Sequence, residues 1–467
     1  MLPPAPHLPI PSARQLRWHE LEFYGFVHFT VNTFTDREWG FGDESPSVFN
    51  PTALDPRQWA RTAHDAGMKG LILTTKHHDG FCLWPSRFTE HSVKNSPWKD
   101  GQGDLVREFV DACAEYGLRA GLYLSPWDRN HAEYGRPAYV EYYRNQLEEL
   151  LTQYGELFEF WFDGANGGDG FYGGANEKRT IDPLTYYGFE EIWAKVRRHQ
   201  PDAILFSDAG PDIRWVGNEA GYASTTCWAK IMPEGIYVGK VDDLNRLGWG
   251  EADGSVWRPA EVDYSIRPGW FYHENEHPHS LEMLLSAYDA SIARGCCLLL
   301  NLAPDQRGLI PDEDVTRLQE FRQVIDERYA HDVAVGQTVT ASEVRGDAPA
   351  FAAANIVDDN PDSYWTVNDD TRTATITINL GKRVNINAIR LEEYIPLGQR
   401  IDSFTVEVAV WRQWLETASG TTIGARRILH FPATTTDQIR IRINSAQACP
   451  TLKRVSVYSL VIPTPQR

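Results

Sequence analysis

Between about residues 22 and 330 the chain alternates short, continuously apolar runs with longer amphipathic ones, and this alternation constrains the fold more than any other feature. YGFVHF, MKGLILTT, LRAGLYLS, LFEFWFDG, DAILFSDA and GCCLLLNLA are rich in β-branched and aromatic residues and short enough to be strands buried on both faces. DPRQWARTAHDAG, GDLVREFVDACAEYG, YVEYYRNQLEELLTQYG and TYYGFEEIWAKVRRHQP carry apolar residues at helical spacing, and several close on Gly, the residue that ends helices most easily. Strand followed by helix, repeated, builds a parallel sheet. The number of repeats suits a (β/α)8-like barrel better than an open doubly wound sheet. No Gly-rich dinucleotide or phosphate loop follows any of the strands.

Near residue 336 the texture changes. TATITINLG, NAIRLEEY, SFTVEVAVW, QIRIRIN and RVSVYSLV read as strands separated by turn residues, with almost no helical periodicity. The fold class is therefore α/β followed by all-β: a barrel over residues 1–335 and a β-sandwich over 336–467. A length of 467 residues is more than one core usually organises, which agrees with that division. The Gly-rich stretch GANGGDGFYGGANEKRTIDP, residues 164–183, predicts a long loop shaping the outer part of a pocket.

A formal net charge of -19 argues against nucleic acid, whose binders need a basic face. No run reaches the length of a membrane helix, so no membrane partner is expected. The surplus of aromatics, 16 Trp, 20 Tyr and 20 Phe, serves either large cores or the stacking of sugar faces, and composition alone favours cores. Six cysteines are too few for a disulfide scaffold, and Cys296 and Cys297, inside an apolar run, read as buried thiols.

In a barrel, the residues just past the C-terminal ends of the strands form the site. Here these are His28; Lys76, His77, His78 and Asp79; Tyr123 and Ser125; Asp163; and Asp208. A lone strand-end Asp is more often a cap or ion-pair partner, but this accumulation favours a polar pocket. Asp163, desolvated by Trp161 and Phe162, is costly unless hydrogen-bonded or used. Two carboxylates flanking a scissile bond are what glycoside hydrolysis requires. Glu219, in GPDIRWVGNEAGY, is the best second carboxylate, with Trp215 near enough to stack on a sugar. HENEH, residues 273–277, matches a zinc signature in letters only, because Pro278 disfavours the helix on which that motif depends. His77 and His78, adjacent on a strand, should point to opposite faces, so one of them is expected simply to pack.

HFTVNTFTDREWG, TTKHHDGFCLWPS, GLYLSPWD, FWFDG and LLLNLAPDQRGLIPDED together resemble glycoside hydrolase family 29, the α-L-fucosidases, over residues 15–330. The resemblance implies a retaining exo-fucosidase with Asp163 as nucleophile. It implies that His28, Glu38, Trp39, His77, His78, Tyr123 and Trp161 hold the fucose ring, with Trp215 and Trp270 also lining the pocket. RWVGNEAG, TDREWG and GWFYH look like the subgroup selective for α-1,3 and α-1,4 linkages, which makes Glu219 the acid/base. ANIVDDNPDSYWTV and TATITINLGKRVNINAIRLEEY resemble a discoidin or coagulation factor type C module, related to carbohydrate-binding modules. A structural Ca²⁺ on Asp358, Asp359 and Asp362 is one reading of that segment, and a solvated acidic turn is the other.

The expected partner is a fucosylated glycan such as a Lewis-type oligosaccharide, cleaved without a cofactor and without a catalytic metal. The alternatives are a broad-specificity α-L-fucosidase and a catalytically silent fucose-binding protein. The opening MLPPAPHLPIPSARQ has no leader-like pattern, which taken literally means cytoplasmic. A leader removed ahead of it would leave the same opening, and the substrate class favours a periplasmic or secreted protein. Oligomeric state is open.

Overall fold

The computed structural model describes residues 1–460, so the last seven residues of the 336–467 region lie outside it. Eight parallel strands close into a barrel: β1 (Phe23–Val27), β2 (Gly70–Lys76), β3 (Arg119–Leu124), β4 (Glu159–Trp161), β5 (Ile204–Ser207), β6 (Ile213–Trp215), β7 (Ala260–Ser265) and β8 (Cys297–Leu302). Neighbours pair in sequence order, and β8 closes onto β1 with Phe23 opposite Leu298 and Val27 opposite Leu302. Tyr24, Phe26, Ile72, Tyr123, Trp161, Phe206 and Leu299 fill the interior. Residues of the opposite parity, such as Phe160, Phe162, Leu205 and Leu298, pack outward under the helices. This two-sided burial explains why the strands read as unbroken apolar runs.

The helices form where their periodicity places them. Pro56–Asp65 begins on an Asp55 cap and buries Trp59, Ala60 and Ala63. Leu105–Glu115 begins on Asp104 and is followed by Gly117 at φ 70°, a left-handed position that a Cβ would strain. Phe189–His199 starts later than the pattern TYYGFEEIWAKVRRHQP implies, with Gly188 in the left-handed region just before it.

Two barrel strands have no apolar run. β7 reads AEVDYS, and its Glu261 and Asp263 are buried. In β6, Arg214 is buried and donates to the carbonyls of Leu247 and Trp228. Polar residues satisfied inside the protein erase the hydrophobic signal.

The second unit is a seven-stranded antiparallel set around its own core, which includes Trp365, Ile376, Ile389, Phe404, Ile441 and Val455. TATITINLG and NAIRLEEY are one 20-residue strand, Ala374–Glu393, with register shifts between Asn379 and Val384 and again near Ile386. Such bulges bend a strand without ending it. Arg426 joins the two units, buried between Glu22 of the barrel and Glu392 of the sandwich. Cys227 N donates to Thr422 Oγ1 (2.9 Å) and Lys230 Nζ to Gln447 Oε1 (2.7 Å) across the same contact. All six cysteines are buried free thiols, Cys297 inside the barrel and Cys296 with its Sγ 3.6 Å from that of Cys227.

Asp359 pairs with Arg454, and Asp358 accepts from Asn360 N and the Ser363 hydroxyl, so both already have partners within the protein. Among the described residues no three His, Cys, Asp or Glu side chains are grouped as a metal ion would need.

Candidate active site

A cavity of about 240 Å³ opens at the C-terminal mouth of the barrel, lined by His28, Trp39, His77, His78, Tyr123, Trp161, Asp163, Trp215, Glu219 and Trp270. Phe26, Gly164, Ala165, Asp208 and Asp263 complete the wall. A larger cleft of about 450 Å³ lies at the opposite end, near the starts of β3 and β5. Arg14 there pairs with Asp212 and Arg17 with Asp202, and none of the strand-end histidines, tyrosine or tryptophans of the mouth line it.

Asp163 follows β4 at the mouth. Its Oδ2 accepts from the Tyr123 hydroxyl (2.9 Å) and its Oδ1 from Ala165 N (2.7 Å). One donor on each oxygen gives the group a defined orientation. Gly164 is required next to it, because a Cβ there would lie 2.0 Å from Asp208 Oδ2. Asp208 accepts from Gly239 N (2.8 Å), and burial together with the charge of Asp163 pushes it up to about 7. Burial, and then the charges of Glu219 and Glu261, hold Asp263 well above the carboxylate range, although it accepts from Trp215 Nε1 (2.9 Å).

Glu219 lies in the loop after β6, exposed at the rim, with its Oε2 3.2 Å from Trp270 Nε1. Partial burial raises its pKa, the indole N–H opposes this, and the charges of Asp163 and Glu38 add to the rise.

The three cavity histidines, His28, His77 and His78, are neutral. Burial lowers His28 to about 3 and His78 to about 4, and holds His77 well below its ordinary value. Asn301 Nδ2 donates to the Trp270 carbonyl (2.7 Å), so its Oδ1 must be the acceptor from His28 Nδ1 (2.7 Å), leaving His28 Nε2 as a lone pair. Ser125 Oγ donates to the Trp127 carbonyl and therefore accepts from His78 Nδ1 (2.7 Å), which makes His78 Nε2 a second lone pair. His77 Nδ1 is buried without a partner. An unmet lone pair costs less than an unmet N–H, which places the His77 proton on Nε2.

His77 and His78 both line the cavity, with ring centroids 4.1 Å apart, contrary to the expectation that one would turn away. β2 ends at Lys76, so the pair lies in a turn where strand alternation no longer applies. Glu38, expected on the sugar, does not line the cavity. Its oxygens accept from Trp270 N (2.9 Å), Phe271 N (3.1 Å) and His273 Nε2 (2.7 Å). HENEH is not a metal motif here, because His273 faces Asp36 and Glu38 whereas His277 faces Glu313. The 164–183 stretch contains a short hairpin, Gly168–Gly170 with Glu177–Arg179, anchored by Arg129 on Asp169, and only Gly164 and Ala165 reach the cavity.

Asp263 was not legible as a site residue. Its only signal was the alternation of acidic and apolar residues in AEVDYS.

Residues 12–327 match the family model described as alpha-L-fucosidase, and residues 338–455 match that of the F5/8 type C domain. A putative alpha-L-fucosidase 1 from Oryza sativa subsp. japonica is 42% identical over 461 residues, covering 98% of this chain and 86% of its own. The crystal structure of a glycoside hydrolase 29 family member from an unknown rumen bacterium superposes with a TM-score of 0.89 at 42% identity, over 99% of this chain and 79% of that one. A Ruminococcus gnavus family 29 fucosidase crystallised with fucose gives 0.89 at 32% identity, over 99% of this chain and 97% of its own.

Proposed function

This chain belongs to the retaining α-L-fucosidases of glycoside hydrolase family 29, carrying a C-terminal F5/8 type C domain, and on that premise we propose that Asp163 is its nucleophile and Glu219 its acid/base. The proposed substrate is a terminal α-1,3- or α-1,4-linked fucose on a Lewis-type glycan. One observation carries the reading: an oriented carboxylate and a second carboxyl of raised pKa face the same cavity at the barrel mouth.

An Asp163 oxygen attacks the anomeric carbon as the bond to the glycosidic oxygen breaks, and Glu219 delivers its proton to that oxygen. The fucosyl ester is then opened by water, which gives a proton to Glu219 and its oxygen to the anomeric carbon. Two inversions leave the configuration retained. His28 and His78 offer lone pairs and His77 an N–H, a set that complements hydroxyls able both to donate and to accept. Trp161, Trp215 and Trp270 offer faces for the apolar side of the sugar.

The linkage preference is supported by the sequence RWVGNEAG and by the position of Glu219 on the loop after β6. Fucosylated glycans of this type lie outside the cytoplasm, which is the reason for placing the protein in the periplasm or outside the cell.

The test is fucose release from a Lewis-type trisaccharide by wild type, Asp163→Asn and Glu219→Ala, with azide added as an external nucleophile. Wild type should release fucose, Asp163→Asn should lose nearly all turnover, and Glu219→Ala should lose the trisaccharide but convert α-L-fucosyl fluoride, whose departure needs no proton, to a fucosyl azide. Wild-type rates in Glu219→Ala would remove that residue from the acid role, and the linkage assignment with it.

A further inference from the structure

The HENEH segment is left over from the catalytic reading, yet its first histidine sits at the centre of a charged cluster behind the cavity. His273 Nδ1 lies 2.6 Å from Asp36 Oδ1 and its Nε2 lies 2.7 Å from Glu38 Oε1. A third carboxylate, Glu276, is close by, accepting from Gly269 N (2.9 Å). Contacts from both ring nitrogens to carboxylate oxygens require both to carry protons.

What the cluster holds is the turn over residues 268–273. Glu38 accepts from the backbone N–H of Trp270 and of Phe271. Ser265 Oγ donates to the Gly269 carbonyl (2.7 Å) and Asn301 Nδ2 to the Trp270 carbonyl (2.7 Å). Each backbone donor and acceptor from Gly269 N to Phe271 N is therefore bound by a side chain. The packing leaves no slack either, because a Cβ on Gly269 would lie 2.5 Å from Glu38 Oε1 and 2.9 Å from His273 Cδ2. The turn carries Trp270, whose indole N–H meets Glu219 at the rim.

We propose that His273 is a positioning residue for proton donation: by bridging Asp36 and Glu38 it fixes the 268–273 turn and so holds the Trp270 indole against Glu219. The inference rests on the assignment of Glu219 as the acid/base. Without the imidazolium, Asp36, Glu38 and Glu276 would face one another with no cation between them, and like charges at such range repel.

Burial pushes the His273 ring down, but Asp36, Glu38 and Glu276 outweigh it, and its pKa is raised. The bridge is complete where the ring is charged and is lost as pH rises through that raised value, since a neutral ring has one N–H for two carboxylates.

The experiment compares two substrates, a Lewis-type trisaccharide whose leaving alkoxide needs a proton and α-L-fucosyl fluoride whose leaving fluoride does not. In His273→Gln, kcat/KM on the glycan should fall about tenfold, a fraction of what a general acid supplies, while kcat/KM on the fluoride stays within about twofold. The alkaline limb of the glycan profile should also move to higher pH, because the indole N–H that favours ionised Glu219 has been released. Equal losses on the two substrates, or an unmoved limb, would overturn the proposal and leave His273 a stability residue.

Asp36 is largely exposed, so Asp36→Asn gives a second variant that does not threaten the fold and should shift the limb in the same direction by less. Glu219→Gln separates the two readings. If its kcat/KM is lost on the glycan and kept on the fluoride, the acid assignment stands whatever His273→Gln does. If it keeps both, the acid assignment and the role of His273 fall together.

Discussion

Beneath the active site, Glu159 at the start of β4 and Glu261 on β7 face one another in the barrel interior, and replacing Glu159 by Gln should change how stability depends on pH. Glu261 accepts from Trp161 Nε1 (2.8 Å) and from the Tyr24 hydroxyl, whereas neither oxygen of Glu159 finds a donor. A shared proton supplies what is missing. Burial, and for Glu159 also the charge of Glu261, raises both carboxyls, Glu159 well above its ordinary 4.5.

In the unfolded chain both ionise near their ordinary value, so between pH 5.5 and 7.5 the native pair binds at least one more proton. Stability then falls as pH rises, by at least about 1.4 kcal/mol per unit and ~2.7 kcal/mol over the interval. In Glu159→Gln the amide donates to Glu261, which then has three donors and ionises without a proton. Urea unfolding followed by tryptophan fluorescence at pH 5.5, 6.5 and 7.5 should give a difference between the two proteins that grows by at least about 1.4 kcal/mol per unit. Asp79 and Asp208, each pushed up to about 7, add the same slope to both proteins and cancel in that difference. Parallel stability profiles would show that the pair keeps no proton and would refute the reasoning.

Arg426→Ala should cost about 3 to 5 kcal/mol, because it strands Glu22 and Glu392 at the joint between barrel and sandwich. Calorimetry should then resolve two transitions where wild type has one, and a single unshifted transition would count against that joint. Tyr123→Phe removes the donor to Asp163 and should lower kcat/KM about tenfold, since a hydrogen bond to a charged group contributes about 1.5 to 3 kcal/mol. Rates within twofold of wild type would mean the hydroxyl does not orient the nucleophile. For wild type, kcat/KM on the glycan should decline as pH rises through the raised pKa of Glu219, with no such limb on fucosyl fluoride. A limb common to both substrates would assign it to another group.

The sequence by itself determined the barrel, the sandwich and most of the cavity wall, because parallel strands buried on both faces leave unbroken apolar runs and the site stands where those runs end. Asp163, Tyr123, His28, His77 and His78 were legible for that reason, whereas Trp39, Trp161 and Trp270 came only with the family resemblance. β6 and β7 were not, since Arg214, Glu261 and Asp263 are polar residues whose partners come from distant segments. The same limit hid the role of Glu38, whose acceptors are engaged by a turn 232 residues away in the chain, and of His273, whose carboxylates lie 237 and 235 residues away. Hydrophobic periodicity is a local property that a window of sequence carries. Hydrogen-bond partners, tautomers and the burial that shifts a carboxyl are properties of what the fold brings together, and only the tertiary structure decided them.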